Sequence, residues 1–196
     1  MNQQGLLYSL VAVDSDNMIM GHAALKFSHP GALIAESGVA FVLPEHRKLG
    51  LFGQFNQRFI EHAASSGLHG LYGWAVTSHI ASQRMAAAHG FKDCGLFLGV
   101  FPGDVEFKKI AGKTQQRESG VLGFLALEKS EARNIYLPGP YQELAANMSE
   151  SLGIPVGLQA PPLDDAHPQD HAFVMETTGA AGGYNAATKQ LRQIDS

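Results

Sequence analysis

Val39-Ala-Phe-Val-Leu-Pro-Glu-His-Arg-Lys-Leu-Gly-Leu-Phe-Gly53 is an apolar run that meets Pro44, turns through Arg47-x-x-Gly50 and continues as a helix. A strand that enters a helix through such a turn leaves the first backbone N–H groups of the helix without intrahelical partners. Those amides and the positive end of the helix dipole make a site suited to a pyrophosphate. Read as an ordinary connection, the same turn would only expose an arginine.

Upstream of this stretch the chain reads as β-structure. Gly5 to Val13 is a β-rich run closed by Asp14-Ser-Asp-Asn17, a turn composition. Met18 to Phe27 returns, Ser28-His-Pro-Gly31 turns again, and Ala32 to Leu43 is a third strand that Pro44 ends. Three strands on short turns predict an antiparallel meander. Downstream, Leu51, Phe52, Phe55, Phe59, Ile60 and Ala63 recur at helical spacing, with Gly67 as the C-cap. Leu68 to Thr77 is a fourth strand and Ile80 to His89 an Ala-rich helix stopped by Gly90. Phe91 to Phe101 and Gly120 to Leu127 complete the strands.

The 196 residues fit one domain with an appendage. Fourteen Lys and Arg face eighteen Asp and Glu, and the basic residues are scattered, which argues against a nucleic-acid partner. No apolar run has the length of a membrane span, and Met1-Asn-Gln-Gln lacks the basic and apolar regions of a signal peptide. Cys94 is the single cysteine, so no internal disulfide or cysteine metal cage forms, as expected in a cytoplasmic protein. In its strand Cys94 reads as a buried thiol rather than a nucleophile.

The order β-β-β-α-β-α-β-β, with Val42-x-Pro44, Arg47-x-x-Gly50 and Gly90-Phe91, resembles the GNAT N-acetyltransferase superfamily from its second strand onward. The likeness covers roughly residues 6–128. It implies an α/β (α+β type) acyl-CoA N-acyltransferase fold, a mixed and mostly antiparallel sheet flanked by helices, over residues 1–128. GNAT domains begin with a strand and two helices that wall one side of the acceptor site, and this chain has no room for them. That wall is then lacking, supplied by a homodimer partner, or part of a longer protein.

In the family, Arg/Gln-x-x-Gly-x-Gly/Ala cradles the diphosphate of acetyl-CoA. The resemblance carries that role to Arg47, Lys48, Leu49, Gly50, Leu51, Phe52 and Gly53, with Phe52 standing where the family has a small residue. It assigns main-chain groups of Phe41, Val42 and Leu43 to the pantetheine arm and the acyl carbonyl. His79 takes the position of an Asn that bonds pantetheine, and Ser82 and Gln83 lie one turn on. His79-x-x-Ser82-Gln83 resembles a bacterial GNAT subgroup, although a polar helix N-terminus would read the same way. Ala86 replaces the Tyr that serves many members as general acid, so another group or water must protonate the thiolate.

The expected reaction is direct transfer of an acetyl group from acetyl-CoA, as co-substrate, to the amine of a small molecule or peptide. An ammonium must lose its proton before it attacks, and a partly buried carboxylate can accept it. Glu36, on the strand that ends at the turn, is the candidate base, with His22 on the preceding strand as the alternative. Either residue also reads as ordinary strand structure. A non-catalytic acyl-CoA-binding or regulatory module, or a piece of a multidomain protein, is the rival expectation. No metal is expected: Asp164-Asp-Ala-His-Pro-Gln-Asp-His171 gathers ligand types without helical His spacing and reads as linker.

Residues 129–196 form a second zone. Tyr141, Leu144, Ala145, Met148 and Leu152 make an amphipathic helix capped near Gly153. Pro155 to Asp170 reads as loop, His171 to Thr177 as a strand, Gly179 to Gly183 as a turn and Tyr184 to Ile194 as a final helix. This tail is expected to cover the side left open by the absent N-terminal elements.

Overall fold

The computed structural model describes residues 5–103, 116–128 and 131–161, and the backbone alone of 172–175 and 191–194. Six strands form one sheet: β1 (Leu7–Val13), β2 (Ile19–Lys26), β3 (Ile34–Val42), β4 (Gly70–Val76), β5 (Lys92–Phe101) and β6 (Glu118–Ala126), in the spatial order β1-β2-β3-β4-β6-β5. The expected meander is present. Asp14 makes its first turn, its carboxylate accepting the N–H groups of Asp16 and Met18 at 2.9 Å each, while Asn17 takes φ +60°.

β3 and β4 run parallel, whereas every other neighbouring pair in this sheet is antiparallel. A parallel pair needs a crossover, and helix α1 (Leu51–Ser65) supplies it. Gly67, at φ +71°, ends α1 as the composition predicted. Phe55, Phe59 and Ala63 of α1 pack on Ala23 and Leu25 of β2, Ala35 of β3 and Leu71 of β4, and this is the core. Phe59, Leu25 and Leu71 are its largest fully buried side chains. Helix α2 (Ala81–Ala88) packs against β4.

The C-terminal zone departs from expectation. A short strand, β7 (Arg133–Tyr136), pairs in parallel with β8 (Val156–Gln159), which lies inside the stretch read as loop. Helix α3 (Gly139–Leu152) joins them, with Gly153 at φ +68° as its C-cap. Four residues are too few to show a period, and the two partners are separated by a whole helix. Helix α3 rests on β5 and β6, at the sheet edge opposite β1. Strand β9 (Ala172–Met175) matches the expected strand and pairs antiparallel with β10 (Leu191–Ile194). Strand pairing over Leu191–Ile194 overturns the end of the expected Tyr184–Ile194 helix; residues 184–190 lie outside the described residues, as do Asp164–His171 and Gly179–Gly183. Among the described residues no helix is long and apolar enough to cross a membrane.

Candidate functional site

The strands β3 and β4 stay together for three rungs and then part. Ile34 pairs with Gly70, Ala35 with Leu71 and Glu36 with Tyr72, and no pairing follows. Beyond Glu36 the backbone of Ser37–Val42 faces a gap rather than a neighbouring strand. A cleft of about 50 Å³ opens there, lined by Ser37 and Phe52 on one side and by Gly73, Ala75, Ser82 and Ala86 on the other. Gly73 is needed at its throat, because a Cβ there would stand 3.1 Å from the Ser37 carbonyl oxygen.

A polar bridge ties the first turn of α1 to the start of the gap. The Ser37 hydroxyl donates to Asn56 Oδ1 at 3.1 Å, and Asn56 Nδ2 donates to the Phe52 carbonyl at 2.9 Å. Asn56 is buried within the apolar stripe of α1, and both residues escaped the sequence reading. An Asn beside two core phenylalanines was the available signal.

The gap leads to the N-terminus of α1. A single 3-10 turn, Pro44–His46, carries the chain from β3 to Gly50, which adopts φ +70°. Only glycine holds that conformation without strain, and the space where its Cβ would stand is open. The first intrahelical bond runs from the Gln54 N–H to the Gly50 carbonyl, and no side chain caps the helix. The N–H groups of Leu51, Phe52 and Gly53 are therefore left without intrahelical acceptors. Arg47 folds back, Nε donating to the Val42 carbonyl at 3.3 Å, while Lys48 and Leu49 are exposed. Phe52 lines the cleft and narrows it.

The candidate residues on β3 divide by their bonds. The Leu43 N–H donates to the Met20 carbonyl at 2.9 Å, so that amide is committed to β2. Phe41 pairs with His22 and Val42 with Gly21. Between them and Gly38 the register skips: Ala24 pairs with Gly38, so Val39 and Ala40 together face Ala23. This is a β-bulge, and Val39 within it adopts φ +48°, an outlying conformation for a β-branched residue.

Glu36 lies on the sheet face away from α1, by strand alternation. Its carboxylate is 3.6 Å from Lys26 Nζ, and 22% of its side chain is exposed. Tyr72 stands across the last rung from it, a neighbour that only the parallel register reveals. Burial pushes the Tyr72 phenol above its usual range, and the Glu36 charge adds to the shift. His22 is engaged with main chain, its ring Nδ1 lying 3.1 Å from the Val39 carbonyl oxygen.

On α2, Gln83 Nε2 donates to the Val76 carbonyl at 3.0 Å and closes the end of β4. The Ser82 hydroxyl is buried against the cleft and has no hydrogen-bond partner among the described residues, and His79 sits just ahead of the helix. Cys94 Sγ donates to the Leu122 carbonyl at 3.4 Å, and burial first, then Asp93, raises its pKa, so it stays a thiol.

No protein-family model and no curated protein sequence matches this chain. Solved structures do. The ribosomal-protein-S18-alanine N-acetyltransferase from Escherichia coli superposes with a TM-score of 0.54 at 15% identity, over 66% of this chain and 75% of that one. The chain has the GNAT fold. A spermidine N-acetyltransferase chimera from Vibrio cholerae and hSSAT matches with a TM-score of 0.53 at 14% identity, over 64% and 72%. Nourseothricin acetyltransferase gives 0.50 at 17%, over 63% and 66%. In the GNAT fold of this chain, the splayed strands are β3 and β4, and the helix that begins at the end of the gap is α1.

Proposed function

We propose that this chain is an N-acetyltransferase that takes acetyl-CoA through the β3–β4 gap and transfers its acetyl group to an amine. The observation that carries the reading is the splay beyond Glu36 and Tyr72, which ends at an uncapped helix N-terminus. Two features fit the cofactor. Gly50 leaves open space before three N–H groups, as a pyrophosphate requires. The buried Ser82 hydroxyl, without a partner among the described residues, faces the cleft, as a hydrogen-bonding pantetheine requires.

Bound there, acetyl-CoA supplies an activated thioester. The chain's own residues then do the rest. Leu51, Phe52 and Gly53 hold the diphosphate with main-chain N–H groups, and Lys48 adds a positive charge at the exposed rim. Ser82 bonds the pantetheine arm, while Gln83 and Arg47 brace the ends of β4 and β3 through their main-chain carbonyls. Glu36 receives the proton of the incoming ammonium. Positioning carries most of the rate because the thioester is already reactive.

Ala86 at the cleft supports a second reading, a module that binds acyl-CoA without turnover, since among the described residues no tyrosine lines the cleft to protonate a thiolate. Calorimetric titration of acetyl-CoA into the wild type and a Gly50→Glu variant tests the site. Micromolar binding weakened at least about 100-fold by the added bulk and negative charge is the expected result. An unchanged affinity overturns the assignment. Thiol release with a panel of amines then separates enzyme from module.

A further inference from the structure

We infer that the acceptor of this chain is an amine joined to an aromatic ring by a short alkyl chain, seated on the sheet face that carries Glu36 with its ring against Trp74 and Phe97. The inference rests on the acetyl-transfer reading of the β3–β4 gap and adds the class of amine.

Ala35 and Leu71 face the core, so strand alternation puts Glu36 of β3 and Tyr72 and Trp74 of β4 together on the opposite face, away from α1. Leu122 and Phe124 of β6 stand opposite Trp74 and Tyr72 and share that face. Phe97 of β5 joins them, its ring edge-on to the Trp74 indole with centroids 4.8 Å apart. Glycines lie beneath these rings. A Cβ on Gly70 would run into the Phe124 ring, and one on Gly95 would stand 3.0 Å from Phe97 Cε2. On Gly120 it would stand 2.9 Å from Phe101 Cε2 and 3.4 Å from Trp74 Cε3. A glycine inside a strand weakens it and marks a close approach. Here the glycines let aromatic rings lie down on the sheet, and Phe97 keeps 42% of its surface exposed.

The Glu36 carboxylate leans toward the open half of β3. A Cβ on Gly38 would stand 3.3 Å from Oε1, while Oε2 is 3.6 Å from Lys26 Nζ on the β2 side. Gly38 and Trp74 each lie two residues beyond the last rung, which joins Glu36 to Tyr72. Had the strands stayed paired, the two would be neighbours at about 4.8 Å. Glu36 Oε1 and the Trp74 indole therefore border the gap at one level, the carboxylate on one bank and the ring on the other. An ammonium drawn to Oε1 carries its substituent toward Trp74. Aromatic faces attract a cation and pack against a ring, and the carboxylate matches the charge. A flexible aliphatic amine offers the charge without the ring. The nitrogen forms the amide bond as the thioester C–S bond breaks, one of its protons passing to Glu36 and another to the departing sulfur.

The test is thiol release by the full chain with acetyl-CoA and phenethylamine, n-butylamine or spermidine. The kcat/KM for phenethylamine is expected to exceed that for either other amine by about tenfold, the combined effect of a packed ring pair and a cation over an aromatic face. Trp74→Ala should bring that ratio down to about twofold, and Trp74→Phe should keep most of it. Phe97→Leu, at a half-exposed position, should lower it about threefold and serves where Trp74→Ala does not fold. Equal values for the amines, a preference for spermidine, or a ratio that these variants leave intact overturns the inference while acetyl transfer stands. A wild type that binds acetyl-CoA by calorimetry and releases no thiol with any of the amines overturns it as well. One that does not bind acetyl-CoA removes the acetyl-transfer reading along with it.

Discussion

Two halves of one strand are put to different uses. Ile34–Glu36 of β3 is paired to β4, with Glu36 paired to Lys26 of β2 as well, and its Ala35 is fully buried in the core. Ser37–Val42 keeps β2 but loses β4, bulges at Val39 and leads to an uncapped helix. The paired half spends its backbone hydrogen bonds on the sheet. The open half withholds some from it, and such groups are what a ligand can use. In the proposed reading, stability and binding are thus divided along the strand, with Glu36 at the border.

Substitutions on either side of that border should separate the two roles. The largest effect is expected at the border itself: Glu36→Gln should lower kcat by about 10²- to 10⁴-fold, read by thiol release, with CoA affinity unchanged by calorimetry. A loss of CoA binding instead would make Glu36 part of the scaffold. On the paired side, Leu71→Ala should cost about 2–5 kcal/mol in urea unfolding, because Leu71 is fully buried. A cost below 1 kcal/mol, under the usual range for such a cavity, would mean that this half does not hold the core.

Asn56→Ala, where the halves meet α1, should cost about 1–3 kcal/mol by leaving the Ser37 hydroxyl without its acceptor. It should also weaken CoA binding, since the bridge steadies the turn that carries Phe52. Stability lost with affinity intact would show the bridge to be scaffold alone. The smallest effect concerns Tyr72. Its folded pKa is raised above the ordinary value of 10.0, so its contribution to stability is full below that value and is lost as pH rises through the folded one. Thermal midpoints should fall above about pH 10, and less steeply in Tyr72→Phe. Identical slopes would remove Tyr72 as the cause.

Much of the scaffold was legible because each element carries a signal longer than its noise. The apolar spacing from Leu51 to Ala63, the stop at Gly67 and the turn at Asp14–Asn17 each name their element directly. The turn into α1 was legible for the same reason, since Gly50 takes a backbone conformation that favours glycine. The rest depends on which strand lies beside which. Nothing local to Glu36 says that Tyr72 will face it. The bulge runs against propensity, since Val39 is a residue that composition places in regular strand. His22 read as a base or as plain strand because its acceptor lies 17 positions away, across a register skip. Strands β7 and β8 escaped because four residues show no period, and β10 overturned a helix inferred from composition near the end of the chain.

Trp74 is the chain's single tryptophan. It lies on β4 at the cleft, its indole edge-on to Phe97 with ring centroids 4.8 Å apart. Indole emission follows the polarity around the ring, so the protein carries its own fluorescent reporter at the mouth of the gap. Any ligand that enters between β3 and β4 changes the surroundings of that one fluorophore, and a titration followed at its emission reports occupancy without a label.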